Sequence, residues 1–233
     1  IQDYQRGLIV GDRSFGKGTV QTLIPLTEGQ LKITESKFYR ISGESTQHRG
    51  VVPDVEFPSI YDTQEIGESA LDHALSWDQI SPIRHSNYGE LSSVLPSVQS
   101  HFRERSSHNP DFVFLEDQVE LAEETRKITD LPLNEKARVA LRDSQEQKAL
   151  NIENKRRKAL GEELLTSLEH DADDIDGLST DTAVDDEGDI NAEKTDEKDA
   201  DDVLLMEAGR VLVDVLLLKQ QSYAVQNDEA LVH

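Results

Sequence analysis

The residues best placed to do chemistry lie in one string near the start of the chain, Gly11-Asp12-Arg13-Ser14-Phe15-Gly16-Lys17-Gly18-Thr19-Val20-Gln21. It follows the apolar run Gly7-Leu8-Ile9-Val10, which predicts a lysine on a loop at the end of a short buried strand. Glycine on each side leaves the backbone at Lys17 nearly bare, which suits a side chain that another group must approach closely. Two chemistries use a lysine in such a setting. The first is phosphate binding, G-x-x-x-x-G-K-[ST], of which Gly11, Gly16 and Lys17 fill three positions. Gly18 stands where the metal-binding hydroxyl belongs, and Thr19 comes one place late. A phosphate loop also opens a helix. Here Thr19-Val20-Gln21-Thr22-Leu23-Ile24-Pro25 follows, β-branched and stopped by proline, which predicts a strand.

The second chemistry is general-base catalysis. A free lysine titrates near ~10.4, so about one in a few thousand is neutral at pH 7. Burial in an apolar pocket lowers such a group to about 7–8, where the amine accepts a proton from a hydroxyl. Gln21 lies four residues on, on the same face of an extended strand, and its carboxamide is a candidate to orient the amine without adding charge. A solvated loop lysine beside an unrelated strand glutamine fits the same spacing.

A second block follows: Leu31-Lys32-Ile33-Thr34, then Lys37-Phe38-Tyr39-Arg40-Ile41-Ser42-Gly43, then Ser45-Thr46-Gln47-His48-Arg49-Gly50-Val51-Val52-Pro53-Asp54-Val55. Together the two blocks resemble the carboxy-terminal processing proteases, serine proteases that use a Ser/Lys dyad. The order is theirs: lysine segment, two strands, then a Gly-x-x-Pro-Asp corner. Phe38-Tyr39-Arg40, Ser45-Thr46-Gln47 and the later Leu75-Ser76-Trp77-Asp78-Gln79-Ile80 and Asn109-Pro110-Asp111-Phe112 resemble the tail-specific members of that family, which carry a long helical extension. The resemblance implies an endopeptidase that recognises proteins by apolar C-termini. Lys17 would be its general base and Gln21 the residue that steadies it. It also implies a periplasmic location and a lipoprotein adaptor as a possible partner. A non-catalytic helical scaffold that binds such an adaptor is the alternative.

The resemblance places the nucleophilic serine upstream of the lysine, together with a peptide-binding PDZ module. Sixteen residues precede Lys17, and Ser14, inside the lysine motif, is their one aliphatic hydroxyl. The expectation is therefore that these residues form the C-terminal part of a longer protease and hydrolyse nothing on their own.

Composition narrows the other classes. Net charge is −23, which speaks against a nucleic-acid face or an anionic membrane surface. There is no cysteine, so neither a disulfide scaffold nor a thiolate metal site is expected. The seven histidines show no metal spacing, and neither a metal nor another cofactor is predicted. His48 lies in the strand-corner segment, near where a cleft would be, and His73 reads as a surface or packing residue.

The elements that must position the lysine read as an α+β fold. Residues 1–58 predict the C-terminal part of a catalytic domain: a helix end over Ile1–Gln5 and strands at Leu8–Val10, Thr19–Leu23, Leu31–Ile33 and Phe38–Ile41. An extended exit to Pro58 follows. Residues 59–168 predict a helical extension. Helices are expected over Glu68–Trp77, Tyr88–Phe102, from Asp111, and over Leu133–Leu165 with Asn134 as cap. The run Lys155-Arg156-Arg157-Lys158 predicts a solvated helix face. Residues 169–202 predict an acidic, self-repelling linker whose aspartates lack the full calcium-loop pattern. In residues 203–233, Val203–Tyr223 predicts an amphipathic helix followed by a frayed tail. Glu207, Arg210 and Asp214 make it unsuited to span a membrane. The resemblance implies that this helix docks back onto its own chain.

Overall fold

The computed structural model describes residues 1–62, 65–168 and 198–231. The fold is mixed α+β. Strand β1 (Val10–Gly11) pairs in parallel with β4 (Val55–Glu56), in the register Val10 to Val55 and Gly11 to Glu56. Strands β2 (Thr19–Pro25) and β3 (Gln30–Lys37) form an antiparallel hairpin from Thr19–Lys37 to Pro25–Gln30, with a bulge opposite Val20 and Gln21. Four helices follow: α1 (Leu95–His108), α2 (Pro110–Arg126), α3 (Glu135–Leu160) and α4 (Lys198–Leu231).

The core lies where the strand segment meets the helices. Phe57, just beyond β4, packs against Phe102 of α1 and Phe112 of α2, with ring centroids 5.2, 5.7 and 5.7 Å apart around the triangle. Val55, Leu91, Val98, Val211 and Val215 complete it. Each fully buried aromatic of this kind contributes about 1.5–3 kcal/mol by leaving water, and each edge-on ring pair adds about 0.5–1.5 kcal/mol. The two parts of the chain therefore share one apolar centre.

Helix limits follow local chemistry. Helix α1 starts at Leu95 rather than Tyr88, because Pro96 fits only the first turn. The predicted stripe is nevertheless the buried one, with Leu91, Val94, Val98 and Phe102 all inside. Asn109 caps α2 by accepting from the Asp111 amide, and Asn134 caps α3 by accepting from the Ala137 amide. Gly161, in the left-handed conformation, ends α3 at Leu160, short of the expected Leu165. The basic run is part solvated face and part seam: Lys155 and Lys158 are exposed, whereas Arg156 and Arg157 are half-buried. Arg156 pairs with Asp111 of α2 at 2.7 Å and lies over the Phe114 ring, and Lys155 pairs with Asp117 at 2.6 Å.

Helix α4 docks on α1, the predicted contact within the chain. Its Glu207 is 1% exposed and meets Arg105 of α1 at 2.7 Å; Asp214 meets the same guanidinium at 2.7 Å. Burial pushes Arg105 down, but the hydrogen bonds it donates to Glu207 and Asp214, with their negative charge, outweigh it and hold the group above its ordinary value. The helix begins at Lys198, inside the predicted linker, and runs to Leu231, past the predicted end. The calcium-loop reading falls on residues outside those described.

Three predicted elements are replaced by other structure. Ile1–Gln5 is a hydrogen-bonded turn, closed by the Gln5 amide on the Gln2 carbonyl and the Arg6 amide on that of Ile1. The Gln5 side chain then accepts from the Leu91 amide, tying the turn to the approach of α1. Phe38–Ile41 contributes only the bridge between Tyr39 and Ser45, because the chain turns back when the Gly43 amide donates to Arg40. Glu68–Trp77 forms a single 3-10 turn over Glu68–Ala70. Leu71 and Leu75, the apolar positions of the expected helix, are exposed. The groups that would have built that helix are engaged elsewhere, as the site shows.

Candidate active site at Lys17

Lys17 sits between β1 and β2, on a loop that ends in a strand. The element that follows is β2, the strand that the β-branched run predicts, where a phosphate loop would open a helix. The segment Thr46-Gln47-His48 lies against the loop and fixes its backbone at three consecutive points. The His48 amide donates to the Gly16 carbonyl at 2.8 Å. The Thr46 hydroxyl donates to the Lys17 carbonyl at 3.0 Å. The Gly18 amide donates to Oε1 of Gln47 at 2.8 Å. Gly18 is required for this approach, because a Cβ there would stand 2.6 Å from the Gln47 amide nitrogen.

Gln47 is 0% exposed, and its Nε2 donates to Oε1 of Glu68 at 2.9 Å. Glu68 is 8% exposed, and its amide donates to the Phe15 carbonyl at 2.8 Å. Trp77 Nε1 donates to the Ser45 carbonyl at 3.0 Å and carries the Arg49 guanidinium 3.5 Å above its ring. These bonds hold 68–77 as an irregular brace, which is why the predicted helix is absent.

The side chain of Lys17 is free of this packing. Its Nζ donates to Thr19 Oγ1 at 3.0 Å, and the residue is exposed. The apolar shielding expected around the amine is therefore not built by the described residues. Ser14 is not a free hydroxyl: its Oγ accepts from the Val51 amide at 2.7 Å. His48 stands in the loop that clamps Gly16, and His73 is exposed. Among the described residues, no group of three or more His, Asp or Glu side chains could hold a metal ion. No helix among them is long and apolar enough to cross a membrane.

Residues 61–217 match the family model for the C-terminal domain of tail specific protease, and residues 1–57 match that of peptidase family S41. The chain belongs to the tail-specific protease family. It is 36% identical over 182 residues to the tail-specific protease of Haemophilus influenzae, covering 72% of this chain and 26% of that protein. It is 50% identical over 56 residues to the carboxy-terminal-processing protease of Bartonella bacilliformis, covering 24% of this chain and 13% of the relative. Against the chloroplastic C-terminal processing peptidase of Tetradesmus obliquus the identity is 39% over 57 residues, 24% of this chain and 12% of the relative. The chain spans about a quarter of the length of the first relative and about an eighth of the other two.

Within a tail-specific protease frame, Lys17 and Gln21 fall differently. Gln21 is on β2, exposed, opposite Thr34. Among the described residues no hydrogen bond joins it to Lys17. An extended chain advances about 3.3 Å per residue, so position i+4 lies about 13 Å along, whereas i+2 is about half as far. Thr19, at i+2 on the same face, takes the bond to the amine. Reading for the nearer same-face residue would have found it. Gln47 and Glu68 were missed because nothing local announces them; they meet across 21 positions.

Proposed function

We propose that this chain supplies the general base of a serine-type, tail-specific endopeptidase acting on proteins with apolar C-termini. The observation that carries this is the contrast at Lys17: the backbone on both sides is hydrogen-bonded in place, and the amine is left exposed at the tip. Such an arrangement presents a proton acceptor at a fixed point with little reorganisation. The nucleophile is assigned to a serine outside this chain. Its hydroxyl proton passes to the Lys17 amine as the oxygen attacks the peptide carbonyl. The resulting ammonium then gives that proton to the leaving amine. Thr19 holds the amine, and Gln21 steadies it once the site is complete. The segment from which the serine comes also supplies the apolar cover. On this reading residues 1–58 act as the C-terminal part of the catalytic domain, 59–168 and 203–233 as its helical support, and the enzyme works in the periplasm. The chain alone cleaves nothing.

The test is Lys17→Ala in the full gene product, assayed on a protein with an apolar tail. Turnover should fall about 10²–10⁴-fold with the fold intact. Turnover at the unsubstituted rate would overturn the proposal.

A second reading rests on α4. Leu205, Met206, Leu212, Val213, Leu216 and Leu217 face outward and are exposed, a second apolar stripe opposite the docked one. It suits a lipoprotein adaptor that binds the helical extension. Leu212→Glu with Leu216→Glu should abolish capture of that adaptor and leave turnover of a short apolar-tailed peptide unchanged; unchanged capture would exclude it.

A further inference from the structure

We infer that Glu68 is a positioning residue for Lys17, acting through Gln47; this rests on the reading of Lys17 as general base. The two family matches meet here. Lys17 and Gln47 lie in residues 1–57, and Glu68 lies in residues 61–217. The link is a continuous chain of hydrogen bonds: Glu68 Oε1 accepts from Gln47 Nε2 at 2.9 Å, and Gln47 Oε1 accepts from the Gly18 amide at 2.8 Å. Both side chains are buried, so neither bond is exchanged for one to water at small cost. A carboxylate that draws on the –NH2 end of a carboxamide makes its oxygen a stronger acceptor, so Glu68 strengthens the bond on Gly18.

Rotation of the Gln47 amide would break both links, and Glu68 fixes which way it faces. An acceptor beside Nε2 demands the orientation that offers Oε1 to Gly18. Without that acceptor, the amide next to Lys17 loses its fixed partner. The brace does not rest on Glu68 alone: the Ser45 amide donates to the Asp78 carbonyl at 3.1 Å, and the Ile80 amide to Gly43 at 2.8 Å. The first residues of the helical extension thus act as the outer wall of the lysine loop. Removing the Glu68 carboxylate subtracts one contact while the rest of the brace stays.

The experiment compares Glu68→Ala, Gln47→Ala, their double variant and Glu68→Gln in the full gene product, with Lys17→Ala alongside. Glu68→Ala and Gln47→Ala should each lower kcat on the order of 10–100-fold, the penalty for a displaced reacting group, with KM within about twofold. The double variant should be no worse than the poorer single one, because both act through one chain of bonds. Glu68→Gln keeps an acceptor for Gln47 and should recover most of kcat. A Glu68→Ala enzyme with unchanged kcat overturns the inference. So does a loss matched by the fall in folded fraction and not rescued by Glu68→Gln.

Should Glu68→Ala fail to fold, amide exchange on the unsubstituted protein decides the matter. The Gly18 amide should exchange at least about 100-fold more slowly than an open loop amide. Exchange at the open rate would overturn the inference. Lys17→Ala separates the two ideas. If it retains full turnover, the catalytic reading itself fails. If it is inactive while Glu68→Ala turns over normally, only the positioning role fails.

Discussion

The lysine loop and the hairpin that grows out of it are adjacent in sequence and opposite in character. Around Lys17, three backbone groups are held by Thr46, Gln47 and His48, and Gln47 is in turn held by Glu68. In β2–β3, the large apolar residues Val20, Leu23, Ile24, Leu31 and Ile33 are all exposed, and no further strand lies on either edge among the described residues. The loop is finished by this chain; the hairpin is not. The hairpin gives the loop one backbone bond, from the Phe38 amide to the Gly18 carbonyl at 3.1 Å. The rest of the order there comes from the Thr46 and Gln47 side chains and the His48 amide, which reach the loop from elsewhere, and a two-stranded hairpin is at best marginal by itself.

The largest expected effect comes from adding one methyl group on the finished side. At Gly18 a Cβ would meet the Gln47 amide nitrogen at 2.6 Å and Ser45 Oγ at 2.9 Å, so backbone has to move. Gly18→Ala should cost about 2–3 kcal/mol of stability, as overpacking does, and should abolish turnover in the full gene product. The control is Gly29→Ala in the hairpin loop, where a Cβ meets nothing within 4 Å and only the positive φ of 80° is penalised. About 1 kcal/mol is expected there, with catalysis intact. Equal losses at the two sites, measured by chemical denaturation, would erase the distinction between loop and hairpin.

A smaller effect is expected where the two regions join. Thr19 is buried and accepts from the Lys17 amine, and Gln21 is exposed on the strand with no hydrogen bond to that amine among the described residues. Thr19→Val should lower kcat about tenfold, and Gln21→Ala by no more than that, neither moving the melting temperature of this chain by more than a degree or two. Should Thr19→Val leave kcat untouched while Gln21→Ala lowers it, the amine is steadied by Gln21 and not by Thr19.

Much of this was legible in the chain itself. β-branched residues and a closing Pro25 announced β2; the 3- and 4-residue spacing of Leu91, Val94, Leu95, Val98 and Phe102 announced the apolar stripe that runs from the approach of α1 into its first turns, and Asn134 marked the start of α3. These are local signals, and local signals survive folding when the core does not oppose them. The lysine motif and its strand corner were legible for the same reason. The clamp was not. Glu68 reads as the first turn of a helix, and Leu71, His73 and Leu75 suggest the turns that follow. Glu68 keeps its bonds to Gln47 and Phe15 from the first position of a single turn, but a helix continued to Trp77 would have to give up the Trp77 bond to Ser45. Its apolar positions find no surface to cover, so propensity of a few tenths of a kcal/mol per residue loses to tertiary hydrogen bonds. The basic run was legible in part: Lys155 and Lys158 are exposed as expected, but periodicity along α3 carries no information about Asp111 and Asp117 on the facing helix.

The smallest effect is the sharpest test of the unfinished side. Leu23 is 57% exposed on β2, across from Lys32. A core leucine replaced by lysine would unfold most domains of this size; here Leu23→Lys should change stability by less than about 0.5 kcal/mol, because the side chain is already in water. It should also raise the concentration at which the chain self-associates, since a lysine on an open edge opposes strand addition. In the full gene product the same substitution should cost several kcal/mol if another segment covers the hairpin, and nothing if none does. A loss in this chain as large as in the longer protein would mean that the hairpin is packed after all, and the contrast with the lysine loop would disappear.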